Sequence, residues 1–197
     1  MRFTAYVRDP VTVARDLLGQ RLVRVLDGVR LAGFIVEVEA YLGQRDRAAH
    51  TFDGRRTARN ESMYLGAGHA YVYFTYGMHH CMNVVCGRRG EGVAVLLRAI
   101  EPTEGLETMF GHRRKARRET DLCSGPAKLT QALGIDLDFD GHDLRSSPVL
   151  YIERVRRRRG MSPPIVASSR IGVDYAGAWA RRPLRFHLDR NPHVSRP

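Results

Sequence analysis

The chain has 197 residues, 43% of them hydrophobic and 27% charged, which is enough apolar sequence to bury a core and excludes disorder along the whole length. Its 32 basic residues outnumber 21 acidic ones for a net charge of +11, and 30 of the basic residues are arginine. Such a charge favours phosphate polyanions or anionic lipid as partners, because guanidinium groups bind phosphate oxygens through two hydrogen bonds. Genomic base composition is the alternative source of the arginine excess.

Targeting and redox features point to one compartment. No uncharged stretch is long and apolar enough to cross a membrane, and the first ten residues lack the apolar segment of a secretory signal. Cys81, Cys86 and Cys123 are an odd number of cysteines without metal-ligand spacing. The sequence therefore predicts a protein of a reduced cytoplasmic compartment, with no membrane partner, no metal and no cofactor.

The first predicted elements are a helix and a β-hairpin. Asp9-Pro10 is typical of a helix start. The run RLVRVL, the turn dipeptide Asp27-Gly28 and the run VRLAGFIVEVEAYL then predict a hairpin with a long second strand. Alternation along that strand groups Glu37 and Glu39 with Tyr41 on one face. The plain interpretation of two carboxylates opposite an apolar face is the solvated outer side of an antiparallel sheet.

A long loop and a second hairpin follow. Residues 43–67 are polar and rich in small residues, which predicts a long loop of the kind that often carries function. The run HAYVYFTYGMHHCMNVVC predicts two strands joined at Gly77-Met78 by a type II′ turn, with Tyr76 at the hairpin tip. An exposed aromatic ring beside arginines suits stacking on nucleic-acid bases.

Strands and short helices alternate in the remainder of the chain. The segment VAVLLRAIEP predicts a strand bearing Arg98, EGLETMFGHRRKARR a helix with a basic end, and residues 124–133 a helix closed by Gly134. The segments VLYIERV, PIVASSRIGV and PLRFHL predict short strands around the basic run at residues 156–159. A solvated loop and a nonspecific phosphate contact are both open for that run. No repeat and no domain boundary are found.

Five blocks of sequence, in order along nearly the whole chain, resemble the alkyladenine DNA glycosylase family, also called 3-methyladenine DNA glycosylase of the mammalian type. The blocks are VEVEAYLGQRDRAAH, RTARNESMY, YVYFTYGMHHCMN, VLLRAIEPTEGLETM and LCSGPAKL, and the match continues to WARRPLRF. The resemblance implies the family's fold: one α+β domain over residues 1–197 with a curved, mainly antiparallel β-sheet, peripheral helices and a protruding β-hairpin.

The resemblance also implies roles for individual residues. The glutamate of the EAY motif, here Glu39, corresponds to the general base that activates water, and Arg98 corresponds to the arginine beside the catalytic water. Tyr76 corresponds to the tyrosine that enters the minor groove and fills the gap left by the extruded nucleotide. The residues that would bind the flipped purine are Tyr41, His50, Tyr73 and Asn83, the last by obstructing the amino group of guanine. The implied contacts with the DNA backbone are Arg55, Arg59, Met78 and Lys128.

By resemblance the protein is a monofunctional DNA glycosylase that acts as a monomer on double-stranded DNA from the minor-groove side, without a cofactor. It would hydrolyse the glycosidic bond of 3-methyladenine, 7-methylguanine, hypoxanthine and 1,N6-ethenoadenine and leave an abasic site. Only Lys115 and Lys128 are available for the Schiff base that strand cleavage needs, so simple hydrolysis is predicted. No side chain is identified as a general acid for neutral bases, and His50 is the candidate contributor.

Several alternatives are open. Glu37 is the other candidate for the base, although it lies outside the EAY motif. His79 and His80, on opposite faces of a strand, favour surface or groove contacts over metal ligation. Two other classes compete with the enzyme. One is a noncatalytic module that binds RNA or damaged DNA, against which Glu39 argues. The other is a basic structural protein of the nucleoid, which has no use for an aromatic hairpin.

Overall fold

The computed structural model describes residues 2–155 and 163–196. The basic run at residues 156–159 lies outside the described residues, so its two interpretations stay open. Within the described ranges, no helix is long and apolar enough to cross a membrane. The same ranges contain no group of three or more His, Cys, Asp or Glu side chains arranged to hold a metal ion.

The N-terminal helix and hairpin form as the sequence predicts. Helix α1 (Pro10–Leu17) begins after Asp9, whose side chain accepts a hydrogen bond at 3.0 Å from a backbone N–H of the first turn. Strands β1 (Arg21–Leu26) and β2 (Val29–Tyr41) are antiparallel neighbours. They are joined at Asp27-Gly28, where φ angles of 50° and 80° fit a type I′ turn.

Six further strands join the same sheet, and they are β3 (Ala70–Thr75), β4 (His79–Cys86), β5 (Val93–Glu104), β6 (Leu150–Glu153), β7 (Ile165–Ser168) and β8 (Arg185–Leu188). Their order is β3-β4-β5-β2-β1-β6, with β8 paired to both β2 and β7, and every pairing is antiparallel. On one edge β2 pairs with β5, and on the other it pairs first with β1 and then, from Glu37, with β8. Register shifts between Ile35 and Val38 bend β2 at this change of partner. The curled antiparallel sheet confirms the predicted fold class.

The helices of the second half lie at the periphery. They are α2 (Leu106–His112), α3 (Glu119–Leu122) and α4 (Pro126–Leu133), and α4 packs on β4 and β5. The end of α4 at Gly134, with φ 61°, is confirmed. The helix predicted over EGLETMFGHRRKARR is wrong beyond His112, because the cations that follow would repel one another at the i, i+3 and i, i+4 spacings of a helix.

The solvated face predicted for Glu37 and Glu39 is also wrong, since both side chains are fully buried. The loop after β7 and the segment after β8 cover this face of the sheet: Ile171 donates its N–H to Glu39, and Ser195 donates its N–H to Glu37. Alternation along β2 therefore separates two buried faces, one apolar and one charged.

The predicted long loop at residues 43–67 contains three short 3₁₀ helices, Gly43–Arg45, Phe52–Gly54 and Ala58–Tyr64. Buried Asn60 ties it together: its amide donates to the carbonyl oxygens of His50 and Arg55, both at 2.9 Å, and accepts from Thr57 N at 2.7 Å. These hydrogen bonds fix the backbone that carries His50.

The tip of the β3–β4 hairpin differs from the predicted turn. The pairing of Thr75 with His79 leaves three residues in the loop, and Thr75 O accepts a hydrogen bond from Met78 N at 3.3 Å. Tyr76 and Gly77 both have positive φ, 51° and 68°, so the turn is centred one residue earlier than Gly77-Met78. A tyrosine in the left-handed region costs about 1–3 kcal/mol, a strain that is typical of functional positions.

Candidate active site

An aromatic pocket of about 430 Å³ opens beside the β3–β4 hairpin. Strands β2 to β5 line its floor and one side, and the long loop, the segment after β7, Pro126 and Arg196 line the rest. Among the residues predicted for the site, the lining includes Tyr41, His50, Arg59, Tyr73, Tyr76, Asn83 and Arg98. One cavity thus collects seven of the residues that the sequence singled out, although they come from four strands, the long loop and the hairpin tip.

Three rings form one side of the pocket. The rings of Tyr71 and Tyr73 are stacked with centroids 5.3 Å apart, and His50 meets Tyr73 edge-on at 4.7 Å. His50 Nδ1 lies 2.7 Å from the Tyr71 hydroxyl. A planar, apolar-faced ligand such as a nucleobase suits these rings, and stacking of this kind contributes about 1–3 kcal/mol per base.

Glu39 lies directly behind the pocket, covered by residues that line it. Its Oε2 accepts a hydrogen bond from the Tyr41 hydroxyl at 2.9 Å, and its Oε1 accepts from Ile171 N at 2.8 Å. Arg98 Nη1 is 3.2 Å from Oε1. Burial raises the pKa of Glu39 above its usual range, although Arg98 and the two donors oppose the shift. A carboxylate with a raised pKa is a stronger base once it is ionised.

Glu37 is buried beside Glu39 but is engaged differently. Its Oε1 accepts hydrogen bonds from Arg98 Nε at 2.9 Å, Arg185 Nε at 2.8 Å and Ser195 Oγ at 2.9 Å, and its Oε2 accepts from Ser195 N at 2.6 Å. Burial opposes ionisation, but Arg98, Ser195 and Arg185 outweigh it, so the pKa of Glu37 is lowered. Glu37 therefore stays ionised and holds Arg98, while Glu39 is the carboxylate whose pKa suits proton transfer.

His50 is poorly suited to act as a general acid. Loss of solvent around the ring in the pocket, together with the charges of Arg59 and Arg55, lowers the pKa of His50. The ring is neutral at neutral pH, so it has no extra proton to give. The neighbouring phenols of Tyr71 and Tyr73 have pKa values raised by burial and remain protonated donors.

Asn83 is fixed in the floor of the pocket. It is 4% exposed, and its side-chain amide donates to the carbonyl oxygen of Tyr71 at 3.1 Å across the β3–β4 pair. This hydrogen bond keeps the carboxamide from rotating away, so it presents a constant shape to whatever enters.

The residues expected to contact a DNA backbone are more scattered. Arg59 lines the pocket and donates to Phe74 O at 2.7 Å, and Arg55 lines a smaller adjoining cavity of about 130 Å³. Met78 is 70% exposed at the hairpin tip. Lys128 lies on α4 outside the pocket lining, with Nζ 3.3 Å from Ser124 Oγ.

Sequence reasoning missed three features of this site. The hydrogen bond from Ile171 N–H to Glu39 could not be found from the sequence, because every non-proline residue carries a backbone N–H. Tyr175, 68% exposed, lines the pocket mouth and donates its hydroxyl to Ala48 O at 3.3 Å. Asp46 and Arg170 form a fully buried ion pair.

The strand predicted over PIVASSRIGV ends at Ser168, and the residues after it cover the charged face of β2.

Comparison with known proteins agrees with this geometry. The family described as Methylpurine-DNA glycosylase (MPG) matches residues 4–192. Proteins named DNA-3-methyladenine glycosylase from Mus musculus and Homo sapiens are each 48% identical over 194 residues, which is 94% of this chain. The chain spans only 58% and 64% of their lengths, whereas a relative from Bacillus mycoides, 44% identical, matches over 97% of both chains. The chain belongs to the methylpurine-DNA glycosylase family.

Proposed function

We propose that the protein is a monofunctional DNA glycosylase that flips a damaged purine out of duplex DNA and hydrolyses its N-glycosidic bond. The observation that carries the proposal is the aromatic pocket built over the buried pair of Glu39 and Arg98. The names of the mouse and human relatives support 3-methyladenine as one substrate. By the same resemblance, 7-methylguanine, hypoxanthine and 1,N6-ethenoadenine are the other proposed substrates.

Tyr76 is the proposed wedge that keeps the base out of the helix. Extruding a nucleotide costs a few kcal/mol, and minor-groove proteins recover such costs by inserting apolar side chains between base steps. Tyr76 is 85% exposed at the end of a protruding hairpin, with Met78 beside it. Its φ of 51° is a strained conformation of the kind that occurs at functional positions. The hairpin thus reaches the minor groove while the pocket receives the base.

The proposed chemistry needs one proton acceptor and one oriented water. Glu39, ionised, takes a proton from water as the water oxygen forms a bond to C1′. The bond from C1′ to the purine nitrogen breaks, and its electron pair leaves with the base. Positive charge on the sugar in the transition state is stabilised by the same carboxylate. Arg98 stays protonated between Glu37 and Glu39 and fixes the carboxylate that receives the proton.

The leaving group sets the range of substrates. An N3- or N7-alkylated purine is a cation and becomes neutral as it leaves, so it needs no acid. For the neutral bases, hydrogen bonds from protonated phenols such as Tyr71 and Tyr73 support departure, because His50 is neutral at the pH of the reaction.

The positions of the lysine amines support hydrolysis without strand cleavage. A glycosylase that cuts the strand forms a Schiff base between an amine and C1′. Lys128 lies outside the pocket lining and contacts Ser124, and Lys115 is exposed in the segment after α2. The proposed products are therefore a free base and an intact strand with an abasic site.

The test is a duplex that carries one hypoxanthine, incubated with the wild-type protein and compared with an undamaged duplex. Release of free base with an unbroken strand and no protein–DNA adduct after borohydride supports the proposal. Tight binding of the damaged duplex without release would instead indicate a binding module. Equal binding of both duplexes without release would indicate a structural protein of the nucleoid.

Asn83→Ser is expected to raise the release of normal guanine by about tenfold or more, because the smaller side chain leaves room for the exocyclic amino group in the floor of the pocket. The measurement is the rate of guanine release from undamaged DNA, with hypoxanthine release as the internal control. Unchanged guanine release would contradict the role of Asn83 as a steric gate.

A further inference from the structure

A fully buried ion pair lies next to the site, outside the residues that the resemblance assigns. Arg170 Nη1 and Nη2 donate to the two carboxylate oxygens of Asp46 at 2.6 and 2.8 Å, and both side chains are 0% exposed. The pair joins the loop after β2 to the segment after β7, which are far apart in sequence. Neither residue belongs to the pocket lining.

Such a pair needs an explanation beyond stability. Desolvation of two charges offsets most of their attraction, and replacing a buried pair by apolar residues is often neutral or stabilising. What apolar residues cannot supply is the set of directed bonds around this pair. Arg170 Nη1 also donates to Ala40 O at 3.0 Å, and Asp46 accepts from Leu42 N and Ala48 N, both at 3.0 Å. The pair therefore fixes the backbone on both sides of Tyr41.

The same pair lies next to two donors of Glu39. The guanidinium carbon of Arg170 lies 4.7 Å from the centre of the Tyr41 ring, and the Tyr41 hydroxyl donates to Glu39 Oε2. The chain neighbour of Arg170 is Ile171, whose N–H donates to Glu39 Oε1. A shift of the guanidinium would displace both donors together.

We propose that the Asp46–Arg170 pair is a positioning unit for Glu39, holding the Tyr41 hydroxyl and the Ile171 N–H on its two carboxylate oxygens. The inference rests on the proposed function, because it assigns Asp46 and Arg170 to the reaction through Glu39. Neither residue contacts the base or the sugar in this account. Their effect is on the orientation of the carboxylate and on the pH at which it ionises.

The pH dependence has a defined sign. The two donors stabilise the ionised form of Glu39, so their displacement raises its pKa further and moves the acid limb of the rate profile to higher pH. Other titratable or charged groups also face Glu39 from the elements around it, namely Glu37 and Tyr41 on β2, Tyr73 on β3, Cys81 on β4, Arg98 on β5, Arg185 on β8, and Tyr175. Changing Arg170 alone leaves the chemical identity of all these groups unchanged, so a shifted acid limb reports the displacement of the Tyr41 hydroxyl and the Ile171 N–H.

Arg170→Lys is the test, because it keeps the positive charge and removes the two-pronged contact with Asp46. Single-turnover release of hypoxanthine from a duplex is expected to fall by up to about 100-fold, as misplacement of a catalytic group does. The acid limb is expected to move to higher pH, and the Kd for the duplex to stay within about twofold. Since lysine retains the positive charge, a shift of the acid limb reports a change in the position of the donors to Glu39 and not the loss of a charge. A wild-type rate and acid limb in Arg170→Lys would overturn the proposal.

Two further variants separate positioning from general stability. Leu17→Ala removes a fully buried side chain of α1 away from the site, and it should lower the melting temperature without moving the acid limb. The double variant Asp46→Asn/Arg170→Met removes both charges. If the double variant is more stable than Arg170→Lys but still releases base slowly, positioning is supported. If both its stability and its rate of base release recover, the proposal is overturned. If the wild-type protein releases no base, the proposed function itself is contradicted. If the wild type is active and Arg170→Lys behaves like it, only the positioning role of the Asp46–Arg170 pair is contradicted.

Discussion

Replacing Glu39 by glutamine is expected to lower the single-turnover rate of base release by about 10²–10⁴-fold, the contribution that a general base usually makes. The amide has the same shape, and its oxygen can still accept a hydrogen bond from Ile171 N and remain beside Arg98. Binding of the damaged duplex should therefore be preserved. The measurement is release under single-turnover conditions together with the Kd for the same duplex.

The matched control is Glu37→Gln, an identical change at the other fully buried carboxylate of β2. The two variants should differ in stability at neutral pH. Since the pKa of Glu39 is raised in the folded protein, folding disfavours its ionised form, and Glu39→Gln should keep or raise the free energy of unfolding. The pKa of Glu37 is lowered in the folded protein, so its negative charge stabilises the fold. This stabilisation is complete above the pKa that the same carboxyl has in the unfolded chain, and it is lost as the pH falls through the folded-state pKa.

Glu37→Gln leaves Arg185 without its buried carboxylate partner and Arg98 with Glu39 alone of the two carboxylates, so it should cost about 3–5 kcal/mol of stability. Its loss of rate should be smaller than that of Glu39→Gln. The opposite ranking, with wild-type release by Glu39→Gln and none by a folded Glu37→Gln, would assign the base to Glu37.

Tyr76→Ala is expected to lower release from duplex DNA by about 5- to 150-fold, which corresponds to the 1–3 kcal/mol of one base–aromatic stack. Release from a single strand should change less, since there is no gap to fill. Tyr76→Phe retains the ring and should retain most of the activity. Because the side chain is 85% exposed, the melting temperature should barely change.

The control for Tyr76→Ala is Phe52→Ala, which removes another exposed aromatic ring outside the pocket lining. It should leave the duplex and single-strand rates unchanged. Equal losses of activity from Tyr76→Ala on duplex and single strand would contradict the wedge and would indicate a contact with the base itself.

Local patterns predicted the elements of this fold well. The Asp27-Gly28 turn and the capped start of α1 each depend on a few neighbouring residues, and both are confirmed. The predictions of where α2 ends and of which residues form the β3–β4 turn are wrong by a few residues. In the second case the register of β3 and β4 decides which residues take positive φ, and register depends on packing across the pair.

The burial of Glu37 and Glu39 could not be predicted from local sequence patterns, for a different reason. Alternation identifies the two faces of a strand but not what covers them, and here the cover comes from segments more than 130 residues away. A separation of 124 residues along the chain likewise hides the Asp46–Arg170 pair. His50 and Asn83, which the motifs name, both line the pocket, whereas the hydrogen bonds that hold them there could not be predicted from the motifs.

The proposed function depends above all on release of a damaged base by hydrolysis at Glu39. Its most direct test is the amount of free 1,N6-ethenoadenine released from a single-lesion duplex by the wild type and by Glu39→Gln at equal, saturating protein concentrations. We expect release by the wild type with an unbroken strand, and release near background by a Glu39→Gln protein that binds the same duplex equally well. Equal release by both proteins, or release by neither, would contradict it.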